Sequence, residues 1–214
     1  MRRNGFTLIE LLVVVAIIAL LASVALGAIP LAIQHADCIG CASNMRNLGI
    51  GLMEYATDND GQLPGRIQGN NDKWPVLLLP YTNGPKVYAD PGDPVAMSVA
   101  PQDMVSNNGN NSSFFFNGFN DLGFYNNPNM TIRMVNITNA TNVILLGQKI
   151  HGSTQYYMDF AEPPNGNEND ILNKTAYFAG ANYVFADGSA RFIKETDYSD
   201  QMWLVNQNYV IPTF

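Results

Sequence analysis

Cations are scarce in this chain. Lys and Arg number 11 in 214 residues against 18 Asp and Glu, so the formal net charge is −7. A surface that tracks phosphates needs clustered cations, and nucleic acid is excluded as a partner. Two His and two Cys are too few for a multi-ligand His/Cys metal site or a disulfide framework. A Gly-rich nucleotide loop, a paired-His metalloprotease helix and a Ser-centred hydrolase elbow are all missing. Charged residues make up only 14 %, below the roughly 25 % of an ordinary soluble domain. Apolar residues at 47 % and aromatics at 11 % exclude wholesale disorder.

The charge that exists is unevenly placed. Arg2 and Arg3 precede Gly5, Glu10 follows, and the next ionisable side chain is His35. The run Leu11 to Ile33 has no charge. A helix rises about 1.5 Å per residue, so roughly 20 apolar residues cross a bilayer core of about 30 Å. This run is long enough to span, and longer than the apolar stretch of an ordinary secretory signal. By the positive-inside bias, Arg2 and Arg3 place the N-terminus in the cytoplasm and the rest of the chain across the membrane. Gly27 and Pro30 lie near the outer end of the span, where a proline kinks a helix or breaks one turn.

Glu10 is the anomaly. A carboxylate in an apolar helix is costly and needs a partner. The run offers no Lys or Arg, so the nearest cation is a backbone amine created by a cut close to Gly5.

Arg2-Arg3-Asn4-Gly5-Phe6-Thr7-Leu8-Ile9-Glu10 resembles the processing site of type IV prepilins and type II secretion pseudopilins. The resemblance implies removal of the basic leader after Gly5 by a prepilin peptidase, and N-methylation of Phe6. It implies that Glu10 pairs with the N-terminal amine of a neighbouring subunit during filament assembly. The implied partners are copies of this chain, other pilins, the prepilin peptidase, the inner-membrane assembly machinery and the lipid bilayer. The implied location is the bacterial inner membrane, then a periplasmic or cell-surface filament. No cofactor and no enzymatic activity are expected.

Beyond the span, Cys38, Cys41, Met45, Leu48, Leu52 and Tyr55 follow at steps of three and four, one apolar stripe at helical period. Asp58-Asn59-Asp60-Gly61 and then Pro64 end the stem. The Cys38/Cys41 pair has three readings: buried small hydrophobes, a disulfide within or between chains, or metal and redox chemistry. The stretch from Cys41 to Gly49, with Tyr55, Asp58 to Gly61 and Pro64, also resembles a set of bacterial prepilin-like proteins. Trp74 to Tyr81 resembles that set's segment after the stem. The set has a second signature, a His, nine residues, then Asp-Gly. Asp187-Gly188 matches it, but Tyr177 stands at the His position, so no role for that His carries over.

From the residues alone, Asp187-Gly188 between two apolar runs predicts a hairpin with a two-residue turn, both residues at positive φ. Thr141 to Leu146, Tyr156 to Phe160, and Trp203 to Val205 or Asn208 to Ile211 read as further strands. Residues 82–140, rich in Asn, Gly and Pro, read as mostly loop, with Phe114-Phe115-Phe116 and Tyr125 as isolated anchors. The fold expected is α+β and pilin-like: a long helix packed on a small antiparallel sheet. Its segments are a leader at 1–5, a membrane helix at 6–30, a stem at 31–58 and a head at 59–214.

Asp58, Asp60, Asp90, Asp93, Asp197 and Asp200 offer oxygens for Ca²⁺, but no loop has the full EF-hand spacing, and turn chemistry is the simpler explanation for them. Asp58 and Asp60 are the metal candidates. His151 and Ser153 sit too close in sequence to suggest a triad. Asn136 and Asn139 open Asn-x-Thr triplets that mark exposed polar surface. Three function classes remain: a filament subunit, an adhesin-like or minor tip module on the same stem, and a membrane-tethered enzyme.

Overall fold

The structure, a computed structural model, describes residues 6–65, 73–105, 111–119, 122, 131–160 and 166–206. One helix, α1, runs Leu8–Asp58. Pro30 lies inside it and supplies no N–H, so one i→i−4 bond is lost, yet the helix continues unbroken. The chain divides into two units, Met1–Ala36 and Asp37–Phe214.

In the first unit every described residue is exposed. Its helix is long and apolar enough to cross a membrane. In the second unit, α1 buries Cys41, Met45, Leu48, Gly49, Gly51, Leu52 and Ala56. These positions recur at helical spacing: Cys41, Met45, Leu48 and Leu52 of the predicted stripe are buried, Cys38 and Tyr55 at its ends are half-buried, and Gly49, Gly51 and Ala56 join it. Gly49 is where helix and sheet come closest. A Cβ there would stand 2.6 Å from the Gly188 carbonyl oxygen and 3.0 Å from Val184 Cγ1. The helix ends in a Schellman closure: the Gly61 amide bonds the Ala56 carbonyl at 2.7 Å, and Asp60 takes a left-handed φ of 54°.

Short elements follow: α2 (Trp74–Leu78), α3 (Pro94–Met97), β1 (Phe114–Asn117), β2 (Ile144–Gln148), β3 (Tyr157–Met158), α4 (Glu168–Ile171), β4 (Gly180–Phe185) and β5 (Ala190–Lys194). The strands form one sheet in the order β3-β1-β2-β4-β5. The fold is α+β, as expected, but the sheet is mixed rather than wholly antiparallel. β3 runs parallel to β1, with Phe116 opposite Tyr157; the other pairings are antiparallel. A parallel neighbour needs a long crossover, and the chain from β1 to β3 supplies it through β2.

Both faces of the sheet are covered. Phe114, Phe116, Leu146 and Val184 join the α1 stripe in one cluster. Phe115, Ala181, Tyr183 and Phe185 join Ile171 and Trp203 in the other. This double burial corrects the reading of Phe114-Phe115-Phe116 as anchors in a loop. They form β1, a central strand, whose alternate rings enter opposite cores. A strand buried on both faces shows no polar alternation, so its period is hidden.

Trp203 to Val205 is not a strand either. Asp200–Trp203 is a 3₁₀ turn in which the Gln201 amide donates to the Ser199 hydroxyl at 3.3 Å. It drops Trp203 onto Phe115, with ring centroids 5.3 Å apart. Asn208 to Ile211 and Tyr125 lie outside the described residues.

The hairpin at Asp187-Gly188 is present, with a different turn. Phe185 N–H bonds Ser189 O at 2.9 Å, so the loop has three residues, and of Asp187 and Gly188 only Gly188 has positive φ, at 80°. The two-residue turn with both centres at positive φ lies elsewhere, at Phe178 (45°) and Ala179 (58°). Tyr177 and Gly180 flank it and exchange backbone bonds of 2.8 and 2.7 Å.

Candidate assembly segment

Gly5 lies outside the described residues. Phe6 follows it with 73 % of its surface exposed. Thr7 is the N-cap of α1 and Glu10 is its third residue, and the two form a reciprocal capping box. The Glu10 amide donates to Thr7 Oγ1 at 3.3 Å. Glu10 Oε2 accepts both the Thr7 amide and the Thr7 hydroxyl, each at 2.8 Å. Glu10 Oε1 takes no hydrogen bond among the described residues. The Thr-x-x-Glu spacing is a capping signal legible in the sequence, beside the cost of the carboxylate in lipid.

The head has its own polar centre, beneath the stem. Asp90 is buried, and its Oδ1 accepts the Gly92 amide at 3.0 Å and the Tyr177 hydroxyl. Its Oδ2 accepts Gln148 Nε2 at 2.5 Å. Gln148 Oε1 in turn accepts the Asn182 amide at 2.6 Å, and Asn182 Nδ2 reaches the Cys38 carbonyl at 3.2 Å. Asn44 donates to the Ala89 carbonyl at 2.9 Å. Burial and the neighbouring Asp90 push the Tyr177 phenol well above the ordinary tyrosine value. Tyr177, at the position where the resembling proteins have His, is therefore a neutral donor that joins β4 to the Asp90 loop. The network ties α1, β2, β4 and that loop together.

Beside it, Asp93 accepts the Val95 and Ala96 amides at 3.0 and 3.2 Å and the Ser113 hydroxyl at 2.9 Å. Lys149 is buried and donates to the Ser153 and Gln155 carbonyls at 3.1 and 3.3 Å. Burial lowers its amine to about 8, with the negative charge of Asp93 acting the other way.

Both thiols are free. Cys41 is fully buried and Cys38 half-buried, and burial raises both above the ordinary cysteine value. Asp60 serves the turn after α1, and its carbonyl accepts Arg133 Nε at 2.9 Å. Asp58 ends α1, and its negative charge adds to burial in raising the Tyr81 phenol. Among the described residues no group of three His, Cys, Asp or Glu is placed to hold a metal. His151 is exposed on a turn and Ser153 is half-buried. Asp187 anchors the hairpin: Oδ1 accepts the Ser189 amide at 2.9 Å, and Oδ2 meets Arg191 Nη2 at 2.6 Å. Partial burial acts to raise it, but the Ser189 bonds and the Arg191 charge outweigh that and hold it below the usual carboxylate value. An apolar cavity of about 450 Å³ opens beside Asn44, between Ala89, Pro91, Ala96 and Met104.

The helix start thus exposes Phe6, with a carboxylate one turn in and an apolar run after it. Residues 1–26 match the family model for the prokaryotic N-terminal methylation motif. That motif is typical of type IV pilins and pseudopilins. No curated protein and no solved structure matches the chain.

Proposed function

We infer that this chain is a structural subunit of a type IV pilus or a type II secretion pseudopilus. It is cut after Gly5, methylated on Phe6 and assembled through its N-terminal helix. The supporting observation is the register of Phe6 and Glu10 at the start of an apolar helix with no buried residue in its first unit. In this reading Glu10 Oε2 stays with Thr7 while Oε1 accepts the freed amine of another copy. Each pairing neutralises two groups that are costly in lipid. The chain is non-enzymatic and has no resident cofactor. The apolar helix is anchored in the bacterial inner membrane, with the head on the outer side.

Glu10→Ala is expected to leave the chain membrane-bound and to abolish its incorporation into filaments, read by electron microscopy of labelled cells. Normal filaments from this variant would refute the pairing. Mass spectrometry of the native chain is expected to find methylated Phe6 at its start, and an intact Met1 would contradict processing.

A second reading, an adhesin-like or minor tip subunit, draws on the apolar cavity beside Asn44. Glycan and surface-binding assays of the full chain separate the two readings, and absence of binding leaves the structural role.

A further inference from the structure

Eight large apolar side chains from Asp37 onward stay exposed among the described residues. Six of them collect at one end of the head: Ile39, Val95, Met97, Ile150, Phe178 and Phe192. Strand register defines that end. It brings the start of β1, the end of β2, the start of β4 and the end of β5 together. Ile150 follows β2, Phe178 precedes β4, and the ring of Phe192 lies against Gly180. The Asp93–Ser113 bond of 2.9 Å ties α3, with Val95 and Met97, to the start of β1. The bond from Asn182 to the Cys38 carbonyl places the Ile39 turn of α1 beside the start of β4. The opposite end of the sheet is polar, closed by Asp187, Ser189 and Arg191.

The chain enters the head at this apolar end. Ile39 comes six residues after Ile33, where the uncharged run stops. The turn presenting Phe178 is also strained, since Phe and Ala occupy two left-handed positions that suit Asn and Gly. It leaves Phe178 37 % exposed.

We propose that this end of the head is a docking surface for the interfacial region of the bilayer that anchors the N-terminal helix. The proposal rests on the membrane-anchored reading. Continuity with the apolar run selects lipid as the occupant. Charges at the same end are mixed, with exposed Lys194 beside exposed Glu195 and Asp197. Attraction to anionic headgroups therefore contributes little, and contact comes from apolar side chains entering the boundary region.

The test uses the full chain bearing Phe178→Trp in phosphatidylcholine vesicles containing lipids brominated at shallow or deep acyl positions. Native Trp74 and Trp203 are buried and supply an unquenched background. Shallow bromines are expected to quench the introduced indole more than deep ones. Met97→Trp, at a position 58 % exposed and so tolerant of replacement, is expected to behave alike, and Val135→Trp to show no quenching. Adding phosphatidylserine or diluting the protein in lipid is expected to change nothing. Absence of quenching at both positions, in chains that float with the vesicles, overturns the docking surface and leaves the anchor standing. Quenching altered by dilution overturns it in favour of a contact between copies. A chain that fails to float overturns the anchored reading and the docking surface with it.

Discussion

Lys149, Ala179 and Glu10 each sit where local physics makes a measurable demand. Burial lowers Lys149 to about 8 from its ordinary 10.5. Between those values the unfolded chain binds more protons than the folded one. Stability therefore rises with pH above about 8, approaching ~1.4 kcal/mol per pH unit, and this contribution is flat below. Denaturation of the full chain in detergent from pH 7 to about 9.5, under the ordinary tyrosine range, is expected to show that rise superposed on an opposing fall, since the raised Cys38 and Cys41 thiols lower stability as their unfolded forms ionise. Lys149→Met is expected to remove it, and an unchanged slope would count against the assignment. Ala179 holds φ at 58° without being glycine. Ala179→Gly relieves that strain and gives back part of it as unfolded-chain entropy, for a net gain of about 0.5–1 kcal/mol, read as a higher melting midpoint. Glu10 shows how far a single residue can be read. Its cost in lipid was evident from its surroundings in sequence, whereas its bonds to Thr7 needed the helix start to be located.

Among the elements, α1 was the most readable. Its stripe at 38, 41, 45, 48, 52 and 55 has a period that a packed helix enforces, and the Asp58 to Gly61 turn stops it. The close approach at Gly49 was not readable, because a glycine within an apolar stripe has no signature of its own until Gly188 is brought against it. Gly49→Ala places a Cβ 2.6 Å from a backbone oxygen that cannot swing away. We expect a loss of about 1–3 kcal/mol, measured by chemical denaturation, and a neutral result would show that helix and sheet can separate freely. The strands divided by environment. β2 and the β4–β5 hairpin stood out as apolar runs at turn residues. β1 did not, since Asn and Gly surround three phenylalanines that serve two cores at once. Trp203, Leu204 and Val205 have strand composition, an aromatic followed by Leu and Val, without forming a strand. The Ser199 cap decided for a turn.

At the level of the complete chain, Asp37–Phe214 is a contact unit with its own cores, and residues 6–36 bury nothing. A chain beginning at Asp37 is therefore expected to fold cooperatively, with the near-ultraviolet circular dichroism of the buried Trp74 and Trp203 unchanged. A broad, non-cooperative transition would show that the head depends on the preceding helix. Sequence alone decided the membrane-length apolar helix, the amphipathic stem and the register of Phe6 with Glu10. These are periodic or short-range properties, set by residues adjacent on the chain or one helical turn apart. Tertiary structure alone decided the parallel β3, the burial of β1 on both faces and the Asp90–Tyr177–Gln148–Asn182 network. Each of these joins residues dozens of positions apart, and no local pattern encodes which distant surface a side chain will meet.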